Sequence, residues 1–305
     1  VKELNVVNGC QSLSTIFSCS ELAKKADNAY ILFRFYEISD AERADSISTS
    51  TNSQSAVKAR DLRSNDKAVL AMKRAYEQFY PDGYFVTKRG EKVDGVKYNT
   101  AHVVNLTDLG KQLIAWHSQR PNLSYGETKI FDKYFDQLFR REYAPENIQA
   151  LNVLFSTLYA KWDKDNPMGL NETLLAMKSY APYHQLYAIS VIFCEINKMN
   201  DSVPSPAVVL KKLNAGGLLD TVVETAGSCL NMALETASSE ATDSGKMFVP
   251  QNWIKSKTSL KDLRTAIKQY LASLKMMPGG KQVLSQLNAN LEMNKEDFDS
   301  RWTAD

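Results

Sequence analysis

Leu4-Asn5-Val6-Val7-Asn8-Gly9-Cys10-Gln11-Ser12-Leu13-Ser14-Thr15-Ile16 opens the chain and sets how the rest is read. Leu4, Val6 and Val7 have the apolar spacing of a short buried strand. Asn8-Gly9 is a turn dipeptide, because Gly adopts φ > 0 at no steric cost and Asn at little. Leu13, Ile16 and Phe17 then recur at helical spacing. The unit is therefore strand, tight turn, helix. The first N–H groups of that helix lack intrahelical partners and converge just past the strand, a place that favours anions, phosphate included. Asn8, Gly9 and Gln11 make this a candidate ligand site. The same amides would equally serve to hold the loop closed.

Outward from this unit, Tyr30–Glu37 is aromatic and β-rich, which predicts a strand. Ser39 or Asp40 then caps a helix with Ala41, Ala44 and Ile47 on one face. The polar stretch Thr51–Arg63 follows, with Asn52, Gln54, Arg60 and Asp61 as groups able to complement the first turn. Ser64 or Asn65 caps a helix over Ala68–Phe79, which Pro81-Asp82-Gly83 stops. Tyr84–Lys88 and Lys92–Tyr98 alternate well enough to predict a hairpin. Beyond Val103 the pattern turns helical, with helices predicted over Leu106–His117, Lys129–Arg141, Glu146–Trp162 and Leu170–Asn197. Asn200–Pro206 punctuates the chain before further helices that run to about residue 290. The expected fold class is α+β, a small mixed module at 1–100 on a larger helical region at 101–200 and 201–305.

Taken together, the two polar stretches resemble the abortive-infection phage-resistance (AIPR) family. Its signatures are an Asn-Gly-x-Gln-Thr turn after a strand and a later Asn-x-Gln before a helix. Here they stand as Asn8-Gly9-Cys10-Gln11-Ser12 and Asn52-Ser53-Gln54. The order and spacing fit from the first residue to about Phe193. The resemblance implies a prokaryotic antiviral role and names no reaction. Family members usually carry a long region upstream of the turn, while this chain starts almost on it without Met. It is read as a fragment, and the upstream region is an expected partner that would flank Leu4–Val7. The turn is also distantly similar to the Asp-Gly-Gln-Gln-Arg turn of ParB-like nucleotide-processing domains. Asn8 replaces the acid and no Arg follows Gln11, so the carboxylate and the cation that hydrolysis would use are both missing.

Composition sets outer bounds. The 305 residues are 44% hydrophobic and 24% charged, an ordinary globular balance with room for more than one domain. Cys10, Cys19, Cys194 and Cys229 show no paired spacing, which points to a reducing compartment and hence the cytoplasm. No apolar run reaches membrane-spanning length. The net charge of +2 hides local excess. Residues 58–98 hold ten basic against six acidic groups, and residues 246–281 hold eight against the single Asp262.

Two basic constellations are candidate nucleic-acid contacts. The first is the predicted hairpin with Lys88, Arg89 and Lys92 among aromatic residues, a mixture suited to phosphate neutralisation and base stacking. The second is a late helix opening at Ser259-Leu260-Lys261-Asp262, a capping-box pattern. Lys261, Arg264, Lys268 and Lys275 fall on one stripe there, beside an apolar face of Leu260, Leu263, Ile267, Leu271 and Leu274. Each pattern also fits an ordinary solvated face.

Enzyme signatures are sparse. Gly279-Gly280-Lys281 lacks the flanking residues of a phosphate-cradling loop. Asp108 with Glu127-Thr128-Lys129 has nuclease-like spacing, but neither acid sits on a predicted strand. His102, His117 and His184 have no partner at metal-ligand spacing, so neither metal nor cofactor is expected. The reading is an antiviral protein acting as a nucleic-acid- or nucleotide-binding module. The alternatives are a nucleotide-processing enzyme or nuclease with catalytic groups upstream, and a protein-interaction scaffold. The sequence leaves the oligomeric state open.

Overall fold

Pro182-Tyr183-His184-Gln185-Leu186-Tyr187-Ala188-Ile189-Ser190-Val191-Ile192-Phe193-Cys194 presents apolar groups on every helical face. A helix of that kind must be enclosed by others. In the computed structural model, which describes residues 10–26, 30–32, 59–163, 165 and 168–302, that helix is the buried axis of the larger of two compact units. The units are Val1–Lys58 and Ala59–Asp305.

In the first unit the described residues form α1 (Cys10–Ser18) and α2 (Ser20–Ala23). Sequence spacing predicts one helix to Ala26, but Cys19 leaves helical geometry at φ −107°, ψ 28°. Ser18 Oγ donates back to the Ser14 carbonyl at 2.8 Å, a local bond that bends helices. Tyr30–Leu32 form no strand. The Leu4–Val7 strand, the Asn8-Gly9 turn, the rest of the Tyr30–Glu37 strand and the Asn52–Gln54 loop lie outside the described residues.

The second unit begins with α3 (Ala59–Arg63) and α4 (Lys67–Phe79), then β1 (Tyr84–Val86), β2 (Val103–Asn105) and α5 (Leu106–Trp116). The cap of α4 is Asp66, whose side chain accepts from the Ala68 N–H, rather than Ser64 or Asn65. Asn105 caps α5 in the same way. The expected Tyr84–Tyr98 hairpin does not form. Phe85 is fully buried and β1 pairs in parallel with β2, Phe85 opposite Val104. Burial against the core outweighs the local alternation. The intervening residues are tied down locally instead, with Glu91 accepting from the Tyr84 hydroxyl at 2.5 Å.

Next come α6 (Glu127–Phe131), α7 (Phe135–Phe139), α8 (Pro145–Ala160), α9 (Glu172–Leu175) and α10 (Pro182–Asn197). Two predicted helices are thus broken. Lys129–Arg141 splits at Asp132–Tyr134, where the backbone leaves helical geometry. Phe131, Phe135 and Phe139 nonetheless stack with centroids 5.1 to 5.6 Å apart. Leu170–Asn197 restarts at Pro182, which has no N–H to donate and sits at the first turn of α10.

After β3 (Ser202–Pro204) the chain forms α11 (Pro206–Ala215), α12 (Leu219–Asp243), α13 (Pro250–Ile254), α14 (Thr258–Ser273), α15 (Gly280–Leu291) and β4 (Phe298–Ser300). The axis α10 packs against α5, α8, α12, α14, α15 and β3. The buried Gln185 amide fastens it, accepting from Trp162 Nε1 at 2.5 Å and donating to the Val223 carbonyl at 2.7 Å. Antiparallel pairing of β3 with β4, Val203 opposite Asp299, returns the chain end to the core. There the Trp302 N–H donates to the His117 carbonyl at 2.9 Å. The architecture is the expected α+β one, predominantly helical with two small sheets.

Candidate functional site

The end of α5 is where the chain takes an unusual turn. After His117 the backbone passes through Gln119 at φ 54°, a left-handed conformation that costs an L-residue about 1–2 kcal/mol. The turn drives the Gln119 side chain inward. Its amide nitrogen donates to the Trp116 carbonyl at 2.6 Å and to Ser190 Oγ at 2.8 Å, while its oxygen accepts from Arg264 at 2.9 Å. Arg264 also donates through Nε to the Tyr187 hydroxyl at 2.6 Å. These bonds lock the inner wall of a cavity of about 370 Å³ between the α5 turn, α10, the start of α14 and the chain end.

Its lining carries Arg120, Lys257, Lys261, Arg264 and Arg301, and no carboxylate. Arg264 is held as described. Arg301 donates to the Asn200 carbonyl and lies 3.8 Å from the fully exposed Asp201 carboxylate, and its buried Nε has no partner among the described residues. Arg120, Lys257 and Lys261 make no ion pair with any described residue. Asn122 also lines the cavity. Its Nδ2 donates to the Lys255 carbonyl at 3.4 Å, and its buried Oδ1 is without a partner among the described residues. Burial pushes the Tyr187 phenol up, although Arg264 opposes the shift. Behind the wall, burial and then Arg141 push the His117 imidazole down to about 3, so it adds no charge near neutrality. Unpaired cations facing a cavity without acids suit one ligand chemistry, an anion able to accept several hydrogen bonds.

The sequence-predicted residues are distributed unevenly around this site. Lys261 and Arg264 line it. Lys268 points elsewhere, 3.5 Å from Glu195, and Lys275 follows the end of α14, so the four cations form no continuous track. The capping box at Ser259 does not form either. Ser259 is buried and donates to the Ser256 carbonyl at 2.9 Å, while Asp262 accepts from Trp253 Nε1 at 2.8 Å. Arg60 is buried, donating to Thr107 Oγ1 at 3.0 Å and lying 3.5 Å from Asp61. Arg89 bridges Asp61 at 3.7 Å and Glu127 at 2.8 Å, so these charges neutralise one another. Lys88 and Lys92 are exposed and away from the cavity lining. Asn8, Gly9, Asn52 and Gln54, and the Gln11 side chain, lie outside the described residues.

Burial raises the Asp108 carboxyl, Lys111 opposes the shift, and Glu127 adds a smaller rise. Among the described residues, however, no group of three or more His, Cys, Asp or Glu could hold a metal ion. Sequence reasoning missed Gln119, Arg120, Asn122, Lys257 and Arg301. They come from three separate segments, and only the isolated basic excess of 246–281 hinted at any of them.

The family model described as AIPR protein matches residues 1–273. The chain belongs to the AIPR family. The match passes beyond Phe193, where the motif resemblance ends, and takes in all of α14, so this AIPR protein carries Lys257, Lys261 and Arg264 inside its family region. Its family role is phage resistance by abortive infection. No curated protein and no solved structure matches the chain. No described helix is long and apolar enough to cross a membrane.

Proposed function

We propose that this AIPR protein serves phage defence by binding a phosphate-bearing ligand, nucleic acid or nucleotide, in the basic cavity. The observation that carries the reading is the set of five cations around one cavity without a carboxylate. Arg264 and the inner amides position the wall, and Arg120, Lys257 and Lys261 remain to meet the ligand. The free thiols of Cys19, Cys194 and Cys229 suit a reducing compartment, which supports action in the cytoplasm. The Asn8–Gln11 turn and the Asn52–Gln54 loop are proposed as a separate ligand site, supported by their matched amides.

Fluorescence anisotropy with a labelled single strand and a labelled nucleotide tests the cavity. Affinity should fall with salt, and each phosphate contact removed from a single-strand complex should flatten the log–log slope by about 0.7. Lys257→Gln and Lys261→Gln should each do so. Absence of binding at low salt, or slopes unchanged in both variants, would refute the reading.

A further inference from the structure

The aromatic groups of the cavity are already in use. Trp302 stacks on His117 with centroids 4.1 Å apart, and the Arg141 guanidinium sits 5.2 Å from its ring. Arg264 lies 5.4 Å from the Tyr187 ring. Only 7% of Trp302 and 1% of Tyr187 is exposed, so neither ring offers an open face to a base. The amide that could read a base edge is also engaged, since Gln119 uses its nitrogen on Trp116 and Ser190 and its oxygen on Arg264. What remains free is charge. Lys257, which precedes α14, and Lys261, in its first turn, both stand in the cavity wall.

A diester phosphate brings a single negative charge. Arg120, Lys257 and Lys261, with Arg301 whose one ion-pair partner among the described residues is exposed Asp201, exceed what one such group needs. The volume of about 370 Å³ falls in the small-ligand range. We infer that the cavity takes a polyphosphate chain, as carried by a nucleoside triphosphate or by the 5′-triphosphate end of an RNA, and reads its charge rather than its base. This rests on the phosphate-binding reading above and narrows it.

The experiment is calorimetric titration of the whole 305-residue chain at one fixed salt concentration. The probes are tripolyphosphate, ATP, GTP, AMP, and one RNA oligomer with either a 5′-triphosphate or a 5′-hydroxyl. Tripolyphosphate, ATP and GTP should bind within a few-fold of one another, and AMP and the 5′-hydroxyl RNA at least tenfold more weakly. Tight binding of the triphosphorylated RNA would identify RNA ends as the source, and its failure beside tight ATP binding would identify free nucleotides. The double variant Lys257→Gln/Lys261→Gln should weaken every polyphosphate at least tenfold with its unfolding midpoint unchanged. Equal affinity for ATP and AMP, or measurable and equal binding of the two RNA ends, overturns the inference and leaves the phosphate-binding reading standing. Polyphosphate binding untouched by the double variant also overturns it, and no binding by any probe overturns both.

Discussion

Two cations of the same cavity should fail differently when removed. Arg264→Met keeps the volume of the stem but deletes the donors to Tyr187 Oη at 2.6 Å and Gln119 Oε1 at 2.9 Å. Both acceptors belong to buried residues, 1% and 5% exposed, so neither recovers a full water partner. A hydrogen bond to a charged group contributes about 1.5–3 kcal/mol, and a stranded buried polar group costs about 1–3 kcal/mol. The two bonds share one side chain and will not add fully, so the expected loss is about 2–4 kcal/mol. Lys261 is exposed and makes no ion pair with any described residue. Lys261→Ala should therefore stay within about 0.5 kcal/mol of the parent. Denaturant unfolding of the three proteins separates the cases. Arg264→Met within about 0.5 kcal/mol of the parent, or Lys261→Ala the less stable variant, would refute the division into positioning and ligand-facing cations.

Three further outcomes follow from the fold. At Gly110 an added Cβ would lie 3.0 Å from Ile130 Cγ2 and 3.2 Å from Phe131 Cζ, so Gly110→Ala meets an overpacking cost of about 1–3 kcal/mol. That cost should exceed the helix-propensity gain of about 1 kcal/mol, and a variant more stable on chemical denaturation would contradict it. Lys198 ends α10 at φ 58°, so Lys198→Gly should raise the unfolding free energy by about 0.5 kcal/mol, and a lowered melting temperature would count against the strained cap. Burial holds His117 and His184 neutral, with pKa values near about 3 and about 4, below the unfolded value of about 6.5. On acidification the unfolded chain takes these protons first. Their contribution is thus intact above pH about 6.5 and is lost as pH falls towards 4, by up to about 1.4 kcal/mol per pH unit for each histidine. Unfolding measured from pH 7 to 4.5 should show a shallower slope in His117→Phe, and an identical slope would contradict the assignment.

The legible parts of the fold are those set by local physics. The helices α4, α5 and α8 announce themselves through apolar periodicity, although the cap of α4 is Asp66 and not the Ser64 or Asn65 that the sequence suggests. What defeated local reading was tertiary contact. Phe85 alternates like a hairpin residue, yet its partner is Val104, beyond the predicted turn. The Phe131–Phe139 stripe looks like one helix, yet two short helices stack the same rings while Arg63 lies 4.2 Å from the Phe135 centroid. The candidate site was half visible, because Lys261 and Arg264 belong to a basic helix. Arg120 and Arg301 could not be found, since they meet it only through the left-handed Gln119 turn and the pairing of β4 with β3.

The central claim is that phosphate binds where Arg120, Lys257, Lys261 and Arg301 converge. The most direct measurement is a crystal soaked with tungstate, a phosphate mimic whose anomalous scattering locates it without reference to the protein phases. The account requires an anomalous peak inside the cavity within hydrogen-bonding distance of these side chains, displaced by added tripolyphosphate. An empty cavity beside occupied sites elsewhere would contradict it.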